Sequence, residues 1–80
     1  MNKTAVLGEL AETVEHNWDH GLSVADMLGA VAHVCNEKAD FVWETHHNKV
    51  LRKGWAKMAA QIEKAAEKVG KVEKDEVLGV

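Results

Sequence analysis

The sequence contains no proline and no tyrosine, one cysteine, one serine and one phenylalanine among 80 residues. Each scarcity closes a route. Without proline, no fixed-φ residue interrupts a helix or rigidifies a loop. A single cysteine, Cys35, excludes an intramolecular disulfide and any paired-cysteine metal or redox motif. With Ser23 as the only serine and no tyrosine, catalytic hydroxyls are few, and no Ser/His/Asp set or phosphate-cradling glycine loop is present. No apolar run approaches the ~18 residues of a membrane span. The opening MNKTAVLGELAE lacks the apolar core and cleavage pattern of a signal peptide, so the expectation is a cytoplasmic protein that does not engage a membrane.

What is present has helical spacing almost throughout. Leu7, Leu10, Ala11, Val14 and Trp18 form one row, Val24, Leu28, Val31, Cys35 and Val42 a second, and Leu51, Trp55, Met58, Ile62, Ala66 and Val69 a third. At ~100° per residue, Leu51 falls opposite Val24, so the apolar stripe changes face near His46 to Val50. Either the chain breaks there or one long helix serves two partners. The first helix is predicted from Lys3 or Thr4 to Asp19, with Thr4 as its cap and Gly21 ending it. Ser23-Val24-Ala25-Asp26 resembles a capping box and opens the next helix after a short turn. Asn36, Asp40 and Asn48 are the sites where that helix can stop or restart, which puts a break or kink between Asn36 and Asn48. Residues 1–70 are read as a single helical domain and 71–80 as a polar tail. Lys71 to Glu76 are expected to fray, and Val77, Leu78 and Val80 to form a free end or a small docking hook.

The fold class expected is all-α: a small helical bundle or long helical hairpin of two to three helices, completed by dimerisation. Two observations favour the dimer. A chain this short buries only ~60% of its unfolded surface, so its core is thin. Its net charge of −3 is also divided unevenly. Residues 1–47 carry two basic and eight acidic side chains, a balance of −6, whereas residues 48–80 carry eight basic and five acidic, a balance of +3. Opposed fields favour antiparallel packing of one half on the other, within a chain or between copies.

Five histidines are the strongest candidates for chemistry. Glu12, His16 and His20 stand at four-residue intervals, a spacing at which two helical imidazoles can share one zinc, but they lie opposite the first apolar row. Glu44-Thr45-His46-His47 contains Glu-x-x-His, in which Glu44 and His47 would share a helix face. Over these four residues the chain resembles the ferritin-like di-iron carboxylate proteins, and the resemblance implies iron held between helices. The chain has no second Glu-x-x-His, so a two-fold dimer would have to supply it; a zinc site is the other metal alternative. The competing reading makes His33, Glu37, Asp40, Glu44 and His47 the solvated side of a helix.

Trp18, Trp43 and Trp55 are large anchors for so short a chain. Trp18 and Trp55 are expected in the core, while Trp43 with Phe41 marks a candidate interaction patch. Cys35 is expected to be a buried structural thiol. Lys49, Lys53, Lys57, Lys64 and Lys68, with Arg52 alongside, form a basic ridge without interleaved aromatics on an acidic protein, a poor nucleic-acid surface. The resulting expectation is a protein-interaction module, a regulator, inhibitor or assembly factor, with no catalysis of its own. It would bind through Phe41, Trp43, Leu51, Trp55, Met58 and Ile62 and form a homodimer. A metal-binding helical protein and a nucleic-acid-binding helical domain are the alternatives.

Overall fold

The computed structural model describes residues 2–77, which form three helices and a terminal π-helical turn, with no strand among the described residues. Helix α1 spans Lys3–Asp19. Its cap is Asn2, two residues ahead of the predicted Thr4, with Oδ1 accepting from the Thr4 and Ala5 amides at 3.0 and 3.4 Å. Asparagine holds this place well because its side-chain oxygen satisfies amides that have no partner inside the helix. Gly21 ends the run as expected, at φ 90°, a conformation that glycine adopts without the Cβ penalty. The His20, Gly21 and Leu22 amides all donate back to carbonyls of the last turn of α1, among them Asn17 and Trp18.

Helix α2, Val24–His46, starts with the predicted capping box: Asp26 N–H donates to Ser23 Oγ at 3.0 Å and Ser23 N–H to Asp26 Oδ2 at 3.3 Å. The helix stops within the Asn36–Asn48 window, at its far end. His47 takes the left-handed conformation (φ 48°, ψ 35°), its amide donating to the Trp43 carbonyl, and Asn48 then caps α3, Lys49–Val72, by accepting from Leu51 N–H at 3.0 Å. The two-residue connection folds α3 back against α2. The change of face in the sequence is thereby explained: two helices meeting across a tight turn each show the other its own apolar side.

The other end of this hairpin is closed by a residue that the sequence places in a polar tail. The helix runs through Lys71 and Val72 and continues in π-helical turns over Glu73–Val77, and Glu73 is buried, 6% exposed. Leu78 and Val80 lie outside the described residues. Glu73 Oε2 accepts from Val24 N–H at 2.8 Å and Oε1 from Ala25 N–H at 2.9 Å. Together with Ser23 Oγ on Asp26, the carboxylate leaves none of the first three amides of α2 without a partner. A negative charge at a helix N-terminus also meets the positive end of the helix dipole.

Between these two closures the helices meet through small side chains. The buried apolar residues are Ala32, Cys35, Ala39, Val42 and Ala59, with Trp55 and Ile62 packed against them. The inward rows, Ala25-Leu28-Ala32-Cys35-Ala39-Val42 and Trp55-Ala59-Ile62-Ala66-Val69-Glu73, alternate steps of three and four, the seam of an antiparallel coiled coil. A β-carbon at Gly70 would lie 3.5 Å from Ala25 Cβ, so the backbones already stand about as close as two alanines permit. Cys35 is buried and free, as expected.

Several core expectations need correcting. Val24 and Val31 are exposed, because the alternating three and four spacing runs through Ala25, Ala32 and Ala39 and turns the valine row aside. Leu51 and Met58 are exposed for the same reason, while Trp55 and Ile62 face α2. Helix α1 contributes no buried residue, and Trp18 is 36% exposed. The radius of gyration is 15.1 Å, against about 12 Å for a compact domain of this length, and the extents are 48 × 30 × 18 Å. The elongation reflects a tight α2/α3 hairpin with α1 standing away from it.

Replacing Glu73 by alanine should strand the Val24 and Ala25 amides at a buried junction and lower stability by about 2–4 kcal/mol in urea melts. Glu76→Ala, at an exposed neighbouring position, should stay within about 0.5 kcal/mol. Equal effects from the two variants would contradict the clamp.

Candidate functional site: an uncovered helical face

Two apolar surfaces remain open. The first is the α1 row, with Leu7 64%, Leu10 55%, Val14 43% and Trp18 36% exposed. The second runs along one side of the hairpin. On α2, Met27, Val31, Val34 and Phe41 sit beside the inward row, with Lys38 in the same series, and Leu51, Met58, Ala65 and Val72 sit beside the inward row of α3. Both series are displaced from their seam in the same rotational sense. In an antiparallel pair, such positions emerge on the same side. They therefore form one face along the hairpin, of which Val31, Val34, Phe41, Leu51, Met58 and Val72 are the well-exposed members. A shallow groove against Met58 is bordered by Lys57, Gln61 and Ile62. At the base of the face, Trp18 joins Val24, Val69, Val72 and Val77 around a second groove, so α1 leaves the hairpin on this side.

The residues expected to bind a partner are thus divided among three places. Trp55 and Ile62 belong to the hairpin core. Phe41, Leu51 and Met58 lie on the open face, with Lys38 Nζ 5.2 Å from the Phe41 ring centroid. Trp43 is half-buried at the hairpin turn, where the Arg52 guanidinium stacks over its ring at 5.1 Å and the His47 ring meets it edge-on at 5.4 Å. Arg52 is therefore a packing partner of Trp43, and the remaining basic ridge of α3 is exposed. Val34 was missed as a candidate, although its step of three from Val31 and seven to Phe41 shows a second row on α2.

The metal candidates do not converge. Glu44 is the third-last residue of α2, but His47 has already left the helix in a left-handed conformation and turned its ring onto Trp43. The i, i+3 geometry that Glu-x-x-His requires is lost at that residue. His16 and His20 do lie together, with ring centroids 4.2 Å apart, and His20 Nδ1 is 2.8 Å from the His16 carbonyl. Nδ1 donating there leaves Nε2 as the free nitrogen of His20. No third ligand joins them: among the described residues there is no group of three or more His, Cys, Asp or Glu able to hold a metal. His33 pairs with Glu37 on the exposed side of α2, which is the solvated-face arrangement. No helix among the described residues is long and apolar enough to cross a membrane.

No protein-family model, no curated protein and no solved structure matches the chain. Its functional reading rests on its own surfaces.

A left-handed histidine is costly in backbone energy, and glycine accepts that conformation freely. His47→Gly should therefore raise stability by about 0.5–1 kcal/mol after allowing for the greater freedom of the unfolded chain. A loss of more than about 1 kcal/mol in the same melts would mean that the ring on Trp43 stabilises the turn more than its backbone strains it.

Proposed function

We propose that the chain is a helical protein-interaction module that works by burying helix faces against another protein, in the first place a second copy of itself. It has no catalysis of its own, and its place is the cytoplasm. The observation that carries this reading is the α1 row. Four large apolar side chains repeat at helical spacing along 17 residues, and all four are exposed. An apolar row of this length on a soluble helix marks an interaction surface, because leaving it in water forgoes the burial that drives helix association. A second support is the charge division. Helix α1 carries one lysine and four acidic residues, and α3 carries seven basic and two acidic residues. An assembly that sets α1 near α3 gains from this contrast. Within that class, a regulator, inhibitor or assembly factor is the role that suits a small scaffold whose capacity lies in its faces.

Light scattering at micromolar concentration should give about twice the 8.8 kDa chain mass. Added salt should weaken the association, because exposed charges are screened within about 10 Å at 0.1 M ionic strength. A single-chain mass at low salt would remove self-association from the reading.

A further inference from the structure

The two open surfaces are complementary to each other, and the fold holds them apart. The connection between α1 and α2 is built rather than loose. Gly21 is in the left-handed conformation, the Leu22 amide donates to the Asn17 carbonyl at 3.0 Å, and the box between Ser23 and Asp26 fixes the start of α2. Trp18 stands at the corner, where it borders a groove with Val24 and Val72. Beyond that corner the arm carries Leu7 and Leu10 clear of its own hairpin, with Val14 still bordering Val24, and the hairpin face at Val31, Val34 and Met58 is also bare.

Taking the dimer reading above as its basis, we propose that two copies exchange their α1 arms. The Leu7/Leu10/Val14 row of each copy docks on the Val31/Val34/Met58 face of the other and turns each hairpin into a three-helix bundle. A two-fold exchange of this kind closes on itself. Each copy donates one arm and receives one, so neither surface remains open and no chain of copies propagates.

Charge chooses the direction of the arm. On α1, Glu15 flanks the apolar row, and Asp19 and Glu12 lie on the same side but farther round, toward the back of the helix. With the arm antiparallel to the α2 that receives it, that flank faces α3, where Lys57 and Lys68 border the open face. The parallel direction would turn that side of the arm toward α2, where Glu37 and Glu44 outnumber Lys38. Like charges there would oppose docking, whereas the antiparallel direction pairs opposite ones. The partner that this surface fits is therefore an acidic amphipathic helix, and the chain carries one.

Sedimentation equilibrium of the full chain with Leu10→Asp and Val34→Asp tests the exchange, since both residues are exposed in the single chain and neither supports its fold. The wild type should be a dimer, and each variant should raise the dimer dissociation constant by more than about tenfold while helical circular dichroism persists. In a mixed sample of isotope-labelled and unlabelled protein, nuclear Overhauser contacts from Leu10 to Val34 or Met58 methyl groups should pass between copies. A dimer weakened by only one of the two variants, or one whose Leu10 contacts stay within a chain, overturns the exchange but leaves self-association standing. A monomer in which both variants lower the melting temperature means that each arm folds onto its own hairpin, and it overturns both. A monomer indifferent to both variants does the same.

Discussion

The carboxylate of Glu73 is the constraint on which the hairpin depends. A two-helix unit joined by two residues at one end tends to splay at the other, because the turn fixes only the near end. Here the far end is tied by two hydrogen bonds, at 2.8 and 2.9 Å, between residues 49 and 48 positions apart in sequence. The bonds also satisfy α2 amides that no intrahelical carbonyl could reach. One side chain thereby caps one helix, anchors the end of another and sets the register between them. The alanine-rich seam needs such a device. Small side chains allow close approach but bury little area each, and no large side chain is fully buried among the described residues.

Much of this was readable in the sequence. The bounds of α1, the Ser23 box, the role of Gly21 and a break within Asn36 to Asn48 follow from capping chemistry and the change of apolar face, which are local; which of Asn36, Asp40 and Asn48 makes it does not. The inward face of α2 was harder. Valine and alanine rows lie side by side on it, and hydropathy favours Val24 and Val31, whereas the close antiparallel seam selects Ala25, Ala32 and Ala39. Packing distance, which no single helix encodes, decided between them. Glu73 was hidden for a related reason. It continues the row Trp55, Ala59, Ile62, Ala66 and Val69 by one more step, yet a carboxylate at an apolar position reads as the end of a stripe until the amides it meets are known. Glu44 and His47 share no helix face in this structure, because the left-handed turn at His47 belongs to the hairpin and a ligand pair on one face requires the helix to continue.

The functional surface shows the opposite pattern. The α1 row was legible as apolar and helical, but its spacing could not say whether anything covers it. In the structure it stands uncovered beside an uncovered face of the hairpin, whose α3 margin carries lysines opposite in sign to the acids of α1. An arm held out by a capped, hydrogen-bonded corner joins the architecture to the proposed role, because an apolar α1 row left uncovered by its own hairpin is the surface that role requires. The hairpin closed by Glu73 is the platform from which that arm extends.

Amide hydrogen exchange resolved at single residues tests the clamp most directly. First-turn amides of a helix ordinarily exchange by local fraying, with little protection. If Glu73 holds the open end of the hairpin, Val24 and Ala25 should instead exchange only through global unfolding, with protection equal to that of Ala32 and Ala59 in the core. Exchange of Val24 and Ala25 at fraying rates, while Ala32 and Ala59 stay protected, would show that the hairpin stands without the clamp and would contradict the account.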